Sequence, residues 1–244
     1  MTLIEHFEEL RTRLFIAIAS WVVAASVAFY FQDRLLDWLK APLPDNLTLN
    51  AFQLLEPFLV SMQIAAFFGL VLAAPVIVGQ VWGFIAPGLY PDERRWAVPF
   101  VLFTALAFAG GVLFSYYVVL PFALPIILGF LSGEIDLILS IGDYISKIIL
   151  YMAVFGIIFE MPILSFLFAR LGFLYAPMLR QYRRYAIVGG CVLAAVITPT
   201  ADPFNFALVA LPLVILYEVS IVVVRLSQRK VPSERENSEL TRPN

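Results

Sequence analysis

The chain has 244 residues, of which 61% are hydrophobic and 14% charged, and its formal net charge is −2. Its mean hydropathy is +0.90. Soluble domains carry about 25% charged residues, so this composition excludes a soluble globular protein. The single cysteine, Cys191, and the single histidine, His6, exclude an intramolecular disulfide and leave too few ligands for a zinc or haem site. We therefore predict no cofactor and no metal.

Six long, nearly charge-free runs predict an all-α membrane protein with six transmembrane helices. The reason is that a helix needs about 20 apolar residues to cross about 30 Å of hydrocarbon. The predicted spans are residues 14–31, 58–78, 97–120, 144–169, 185–197 and 204–224. The connections are short, so residues 1–230 are predicted to form a single transmembrane domain. Residues 231–244 are polar and are predicted to form a flexible cytoplasmic tail.

The segment before the first span predicts a short amphipathic helix that lies at the cytoplasmic surface and leads into the membrane. Its apolar residues Leu3, Phe7, Leu10 and Leu14 fall on one helical face. The segment is rich in glutamate, whereas a cleaved signal peptide begins with a basic region. We therefore expect this segment to be retained.

Lysine and arginine are concentrated in alternate gaps between the spans. The N-terminal segment, the second and fourth gaps and the C-terminal segment hold nearly all of those outside the spans. The opposite side holds only Arg34 and Lys40. Because cytoplasmic loops are enriched in basic residues, both termini are predicted to be cytoplasmic.

The two longer outer segments carry different signals. Within the first, residues 33–39 predict a short interfacial helix with Trp38 at the depth of the lipid headgroups. The second, residues 121–143, is apolar and lacks basic residues. We expect it to form an outer cap or a re-entrant piece.

Two features predict helices that are not straight or of full length. Prolines recur in or beside the spans, and each removes a backbone hydrogen bond, although membrane helices also tolerate proline without a functional reason. They are Pro75, Pro99, Pro121, Pro162 and Pro212. We expect kinked helices around a concave cup. The fifth apolar run would span only about 20 Å, so the last two helices are predicted to be short and the bilayer to be thinner beside them.

Ionisable residues within spans are candidate functional groups, because a charge at the bilayer centre costs on the order of 3 kcal/mol. Glu160 lies near the middle of the fourth predicted span. It is either a polar docking or proton-linked site or a structural hydrogen-bond partner of another helix. Glu218, Gln80 and Asp202 are weaker candidates, and for Glu218 and Asp202 a structural role is favoured.

Glu9 and Glu93 lie on the basic, predicted cytoplasmic side, next to the membrane. Anionic lipids attract lysine and arginine to this position and do not favour glutamate. Two interpretations remain open. The glutamates either pair with neighbouring arginines, Arg11 for Glu9 and Arg94 and Arg95 for Glu93, or receive a cationic ligand. No glycine-rich phosphate loop is present, and His6 is the only histidine, so we predict no enzymatic activity.

Seven segments, in order along the chain, resemble the TatC family, the multispanning receptor subunits of the twin-arginine protein translocase. The segments are residues 5–11 (EHFEELR), 56–58 (EPF), 74–90 (APVIVGQVWGFIAPGLY), 93–95 (ERR), 155–162 (FGIIFEMP), 198–199 (TP) and 216–218 (LYE). The resemblance implies a cup of six helices with both termini in the cytoplasm, in the inner membrane of a prokaryote. The chain departs from the family at Pro91-Asp92, where a basic residue is common.

The resemblance also implies functional residues. Glu9 and Glu93 would bind the Arg-Arg pair of a signal peptide on a folded precursor, with support from the three neighbouring residues Phe84, Arg94 and Arg95. Glu160 would face the concave side of the cup. The segment Glu56, Pro57 and Phe58 would be a structural or functional part of the outer loop.

The implied partners are single-span TatA-type and TatB-type subunits, which would dock near Gln80, Asp202 and Glu218. Signal peptides, the lipid bilayer and further copies of the chain are the other implied partners, and nucleic acid is not one. Export would be driven by the proton-motive force. Two alternatives remain. One is a proton- or ion-coupled solute transporter that uses Glu160, and the other is an assembly protein without a ligand. No internal repeat is visible and polar residues in the spans are sparse, which disfavours the transporter.

Overall fold

The structure, a computed structural model, describes residues 3–44, 47–85, 97–129, 138–198 and 202–227. In these ranges the chain is almost entirely helical. The helices are α1 Leu3–Tyr30, α2 Gln32–Lys40, α3 Glu56–Ile85, α4 Ala97–Phe114, α5 Leu120–Gly129, α6 Ile141–Phe159, α7 Met161–Arg170, α8 Ala176–Ile197 and α9 Pro203–Ser227. A π-helical turn, Ser115–Val119, joins α4 to α5, and two short strands are β1 Leu49–Asn50 and β2 Leu139–Ser140.

Five segments of the described chain are long and apolar enough to cross a membrane. They are Glu5–Tyr30, Glu56–Phe84, Val98–Gly129, Ile141–Arg170 and Pro203–Ser227. They coincide with the predicted first, second, third, fourth and sixth spans. The predicted fifth span lies within α8, whose first half carries three arginines, Arg180, Arg183 and Arg184.

The prediction that the last two helices are short is wrong for their helical lengths. α8 has 22 residues and α9 has 25. The prediction followed the apolar residues, but a helix continues wherever its backbone hydrogen bonds do, and arginine is a good helix former. Two backbone features mark the start of α8. Gly172, at φ 75°, precedes the helix, and a proline lies in its first turn. Only the apolar part of α8 is short.

The N-terminal surface helix and the first span form one continuous helix, α1. Its sequence contains neither glycine nor proline, so nothing breaks the backbone where the polar segment meets the apolar one. α1 packs along α3. Trp21 Nε1 donates to the Ala66 carbonyl at 2.9 Å, and a Cβ at Gly69 would lie 2.5 Å from Ala25 Cα. Such small residues let two membrane helices approach closely.

The fourth predicted span is interrupted. α6 ends at Phe159, α7 begins at Met161, and Glu160 lies between them as a helix cap. Pro162 explains the interruption because it cannot donate a backbone hydrogen bond. A kink signal is also visible before Pro121, where the Leu120 amide donates to the Ser115 carbonyl in a π-helical turn. By contrast, Pro75 and Pro212 lie inside helices that the structure leaves uninterrupted.

The core lies between α3, α4, α6 and α9. One face of α6 supplies its centre, with Ile145, Ile148, Met152 and Phe155 almost completely buried. α4 approaches α6 closely, since a Cβ at Gly111 would lie 2.8 Å from the Phe155 carbonyl carbon. This packing fixes the break at Glu160 directly after the best-buried part of the molecule.

The end of the molecule that carries the two predicted outer segments is closed by contacts between segments that are distant in sequence. The helix predicted for residues 33–39 is confirmed as α2, and its Trp38 stacks on Tyr116 with ring centroids 3.6 Å apart. The hydroxyls of Tyr116 and Tyr144 donate to the carbonyls of Trp38 and Leu39. β1 and β2 pair in parallel, which joins the two outer segments. Of the predicted outer cap, residues 121–129 continue α5 and residues 130–137 lie outside the described ranges.

Candidate functional site

Glu9 is held by an arginine of its own helix. Its Oε1 accepts hydrogen bonds from Arg13 Nε at 2.9 Å and from Arg13 Nη2 at 2.7 Å. Its Oε2 is buried and has no hydrogen-bond partner within the described ranges. The pairing that the sequence left open is therefore present, but the partner is Arg13 rather than Arg11, which is two residues from Glu9. Residues four apart face each other on a helix, whereas residues two apart do not.

The end of α3 packs against this part of α1, and we call the two together the receptor corner. The ring of His6 stacks on Phe84 with centroids 4.4 Å apart and an angle of 24°. The guanidinium of Arg13 lies against Gly83, where an added Cβ would overlap Nη1 and lie 2.6 Å from Cζ. His6, Glu9 and Arg13 share one face of α1. Two predicted site residues, Glu9 and Phe84, are thus brought to one place.

The other predicted residues of this site, Glu93, Arg94 and Arg95, lie outside the described ranges. Sequence reasoning overlooked His6 and Arg13 as parts of the corner. The four-residue spacing of Glu9 and Arg13 was a usable signal. Nothing in the sequence indicated that His6 would lie on Phe84, because that contact depends on how α1 and α3 pack.

The side chain of Glu160 makes no hydrogen bond within the described ranges. Both of its carboxyl oxygens are buried, and neither has a partner in the part of the chain that the structure describes. The backbone of Phe108 lies close to this carboxyl, but the two groups do not have the geometry of a hydrogen bond. Among the residues that the structure describes, nothing supports the interpretation of Glu160 as a structural hydrogen-bond partner of another helix. A buried polar group without a hydrogen bond is costly.

The three weaker candidates are in different settings. Glu218 on α9 forms an ion pair with Arg183 on α8, with Nη2 and Oε2 2.7 Å apart. Asp202 caps α9, since its carboxylate accepts from the amide and the side chain of Asn205 at 2.7 and 2.9 Å. Gln80 is half-buried on α3, one turn before Phe84. Asp202 therefore has the turn role that the sequence favoured.

Glu56 accepts four hydrogen bonds, two at each carboxylate oxygen. Its Oε1 accepts from Ser140 Oγ and from the Gly142 amide, the latter at 2.9 Å. Its Oε2 accepts from the amides of Phe52 and Gln53 at 2.7 and 3.1 Å. Glu56 thus joins the start of α3 to both outer segments. The other two residues of its motif differ, since Pro57 occupies the first turn of α3 and Phe58 is exposed.

No group of three or more histidine, cysteine, aspartate or glutamate side chains within the described ranges could hold a metal ion. The site residues are instead carboxylates, a guanidinium and aromatic rings. Such a set binds cations and peptides by charge-assisted hydrogen bonds and stacking.

The comparison with known families decides the identity. The family model described as Sec-independent protein translocase protein (TatC) matches residues 5–212. The chain belongs to the TatC family. TatC of Deinococcus radiodurans is 42% identical over 241 residues, which cover 96% of this chain and 89% of the relative. TatC of Aquifex aeolicus is 38% identical, with 94% and 97% covered.

Solved structures agree with the family. The crystal structure of the twin-arginine translocase receptor TatC matches with a TM-score of 0.81 and 37% identity. The match covers 92% of this chain and all of the solved one. A second structure of the receptor, in the detergent DDM, gives the same TM-score over 89% of this chain. This TatC chain is therefore a multi-pass bacterial membrane protein of the Tat protein-transport system, as the resemblance predicted.

Proposed function

We propose that this chain is the receptor subunit for twin-arginine signal peptides, and that Glu9 and Glu93 bind the two guanidinium groups. The observation that carries the proposal is the environment of Glu9. Its carboxylate already accepts two hydrogen bonds from a guanidinium, that of Arg13. On the same face of α1, His6 stacks on Phe84 near the end of α3, and Glu93 follows that end by eight residues in the sequence.

The strength of these contacts suits a receptor that also needs an apolar contribution. A hydrogen bond to a charged group is worth about 1.5–3 kcal/mol, so two carboxylates supply about 3–6 kcal/mol. Micromolar binding requires about 8 kcal/mol. We assign the remainder to the apolar part of the signal peptide, which enters the bilayer beside the cup. Lysine lacks the fork geometry of guanidinium, so a Lys-Lys peptide should bind more weakly.

The receptor corner should face the cytoplasm. The proposal places both termini there, in the cytoplasmic membrane, on the strength of the alternating basic gaps. In the structure the basic residues Arg170 and Arg225 lie in the last turns of α7 and α9, where cations also interact favourably with the helix dipole.

We propose that Glu160 is the polar docking site for the single-span TatA-type or TatB-type subunits. The support is its pair of buried oxygens without a donor in the described chain. A hydroxyl, amide or carboxyl donor on a partner helix would satisfy them, at a depth where polar contacts hold membrane helices together. Gln80, Asp202 and Glu218 are secondary docking candidates. Export of folded precursors by the assembled complex would then draw on the proton-motive force.

The decisive experiment measures capture of a synthetic twin-arginine peptide by the full chain in lipid nanodiscs. Glu9→Gln and Glu93→Gln keep the side-chain shape but remove the charge. We expect each to weaken binding by at least about tenfold, because a charged hydrogen-bond pair is lost. Glu8→Gln is the matched control, since Glu8 is an exposed neighbour on α1, and it should bind normally. Retained binding in both Glu9→Gln and Glu93→Gln would sink the proposal.

A further inference from the structure

The side chains of Glu9 and Arg13 are more enclosed than an ordinary surface pair on a helix. Only 18% of the Glu9 side chain and 29% of the Arg13 side chain are exposed. Both donating nitrogens of Arg13 converge on one oxygen of Glu9. The other oxygen is buried without a partner in the described chain. A second guanidinium therefore cannot form a two-oxygen fork with Glu9 in this arrangement.

Gly83 gives the Arg13 guanidinium its place. A Cβ at Gly83 would overlap Nη1, lie 2.6 Å from Cζ and lie 3.0 Å from Nη2. The end of the arginine therefore rests directly on the backbone of α3. One turn earlier on the same helix, a Cβ at Gly79 would meet nothing within 4 Å. The lack of a side chain at Gly83 therefore leaves space for the Arg13 guanidinium. Gly79 has no such role, because no atom lies where its side chain would be.

We infer that Arg13 is an internal occupant of the Glu9 carboxylate, seated on Gly83, which keeps the receptor closed until a signal-peptide guanidinium takes its place. The inference rests on the proposed function, because it assigns Glu9 to the incoming arginine. Arg13 and that arginine present the same planar group to the same carboxylate. Binding therefore exchanges one guanidinium for another, and Glu9 and Arg13 must separate first.

An occupant of the free state has a defined effect on binding. It lowers the apparent affinity by the fraction of molecules in which the site is open. The factor is the same for every ligand that needs Glu9, so the preference for Arg-Arg over Lys-Lys peptides does not change. Association becomes slower, whereas dissociation of the bound peptide does not. From the usual strength of such pairs, the factor should be about two- to fivefold.

Two variants open the site in different ways. Arg13→Gln removes the guanidinium, and Gly83→Ala displaces it while all charges are kept. The assay measures equilibrium binding and kinetics of a synthetic twin-arginine peptide with the full chain in nanodiscs. We expect both variants to bind about two- to fivefold more tightly, with faster association and unchanged dissociation. A Lys-Lys version of the peptide should gain the same factor.

The chain offers a matched control for each variant. Gly79→Ala adds the same methyl group to α3 where there is space. Arg184→Gln removes the same charge from α8, where the side chain contacts Tyr185 instead of a carboxylate. Neither should alter binding of the twin-arginine peptide.

The outcomes separate this inference from the function on which it rests. Weaker binding or faster dissociation in Arg13→Gln would place Arg13 in the bound complex and overturn the inference. Tighter binding in Arg13→Gln with no change in Gly83→Ala would show that only the loss of a positive charge matters. That result would also overturn the inference. Normal binding by Glu9→Gln would contradict the proposed function itself. Loss of binding in Glu9→Gln, with no gain in Arg13→Gln and Gly83→Ala, would remove only the inference.

Discussion

The carboxylates on the predicted outer side and in the membrane-spanning part of this molecule differ in how many hydrogen bonds they accept. Glu56, at the outer start of α3, accepts four hydrogen bonds, from Ser140, Gly142, Phe52 and Gln53. Glu160, at the break between α6 and α7, accepts none within the described chain. Glu9 is intermediate, with one oxygen occupied and one not.

The number of hydrogen bonds that a carboxylate accepts distinguishes a group that stabilises the fold from a group available to bind a partner. A carboxylate with four donors has no acceptor capacity left to offer, so its contribution is internal. A buried carboxyl without a donor destabilises the chain that carries it, and such a group persists where something else benefits from it. We therefore treat Glu56 as structural, Glu160 as a docking group and Glu9 as a site whose occupant is exchanged.

The largest expected effect is on the outer side. Glu56→Gln removes the negative charge from a carboxylate that receives three backbone amides and one hydroxyl, and puts an amide donor where only acceptors fit. We expect the largest fall in melting temperature of the variants considered, together with faster proteolysis of the outer segments. Both can be measured on the full chain in nanodiscs.

Asp37→Asn is the matched control for that variant. Asp37 is also an acidic residue of the outer side, but it is exposed and paired only with Lys40 on the same helix. It should leave the melting temperature nearly unchanged. Equal and small effects of the two substitutions would contradict the structural role of Glu56, because its four hydrogen bonds would then not stabilise the fold.

The second effect has the opposite sign. Glu160→Met replaces an unsatisfied carboxyl by an apolar side chain of similar length. We expect the free energy of unfolding to rise by about 1–3 kcal/mol, because the desolvation cost of the carboxyl disappears. Co-purification with a TatA-type single-span subunit should be lost in the same variant. Lower stability together with normal co-purification would show that Glu160 serves the fold of this chain.

Much of the architecture could be predicted because it depends on composition. The apolar runs gave the spans of α1, α3, α4 with α5, α6 with α7, and α9. Hydropathy indicates where a helix contacts lipid but not where the helix begins. For this reason the predicted fifth span begins at residue 185, whereas α8 begins at Ala176. Pro162 could be read as a break because its effect is local.

The candidate site was predictable only where its contacts are local. Glu9 and Arg13 are four residues apart on one helix, so their pairing could be anticipated. Gly83 could not be recognised as the seat of Arg13, because nothing before folding indicates which glycine of α3 faces α1. Glu56 and Ser140 are 84 residues apart, and no periodic pattern connects them. Such contacts follow from how helices pack rather than from the sequence around either residue.

The smallest effect tests whether pairing alone makes a carboxylate structural. Glu218 is paired with Arg183 on the neighbouring helix, but their side chains are 42% and 48% exposed. Solvent screens such a pair, so Glu218→Gln should change the free energy of unfolding by less than about 1 kcal/mol. The measurement is thermal or denaturant unfolding in nanodiscs, with Arg184→Gln on α8 as a control for the loss of a charge outside the ion pair. A loss as large as that of Glu56→Gln would mean that one exposed ion pair stabilises the chain as much as the four hydrogen bonds of Glu56. The number of donors to a carboxylate would then no longer distinguish a structural carboxylate from one proposed to bind a partner.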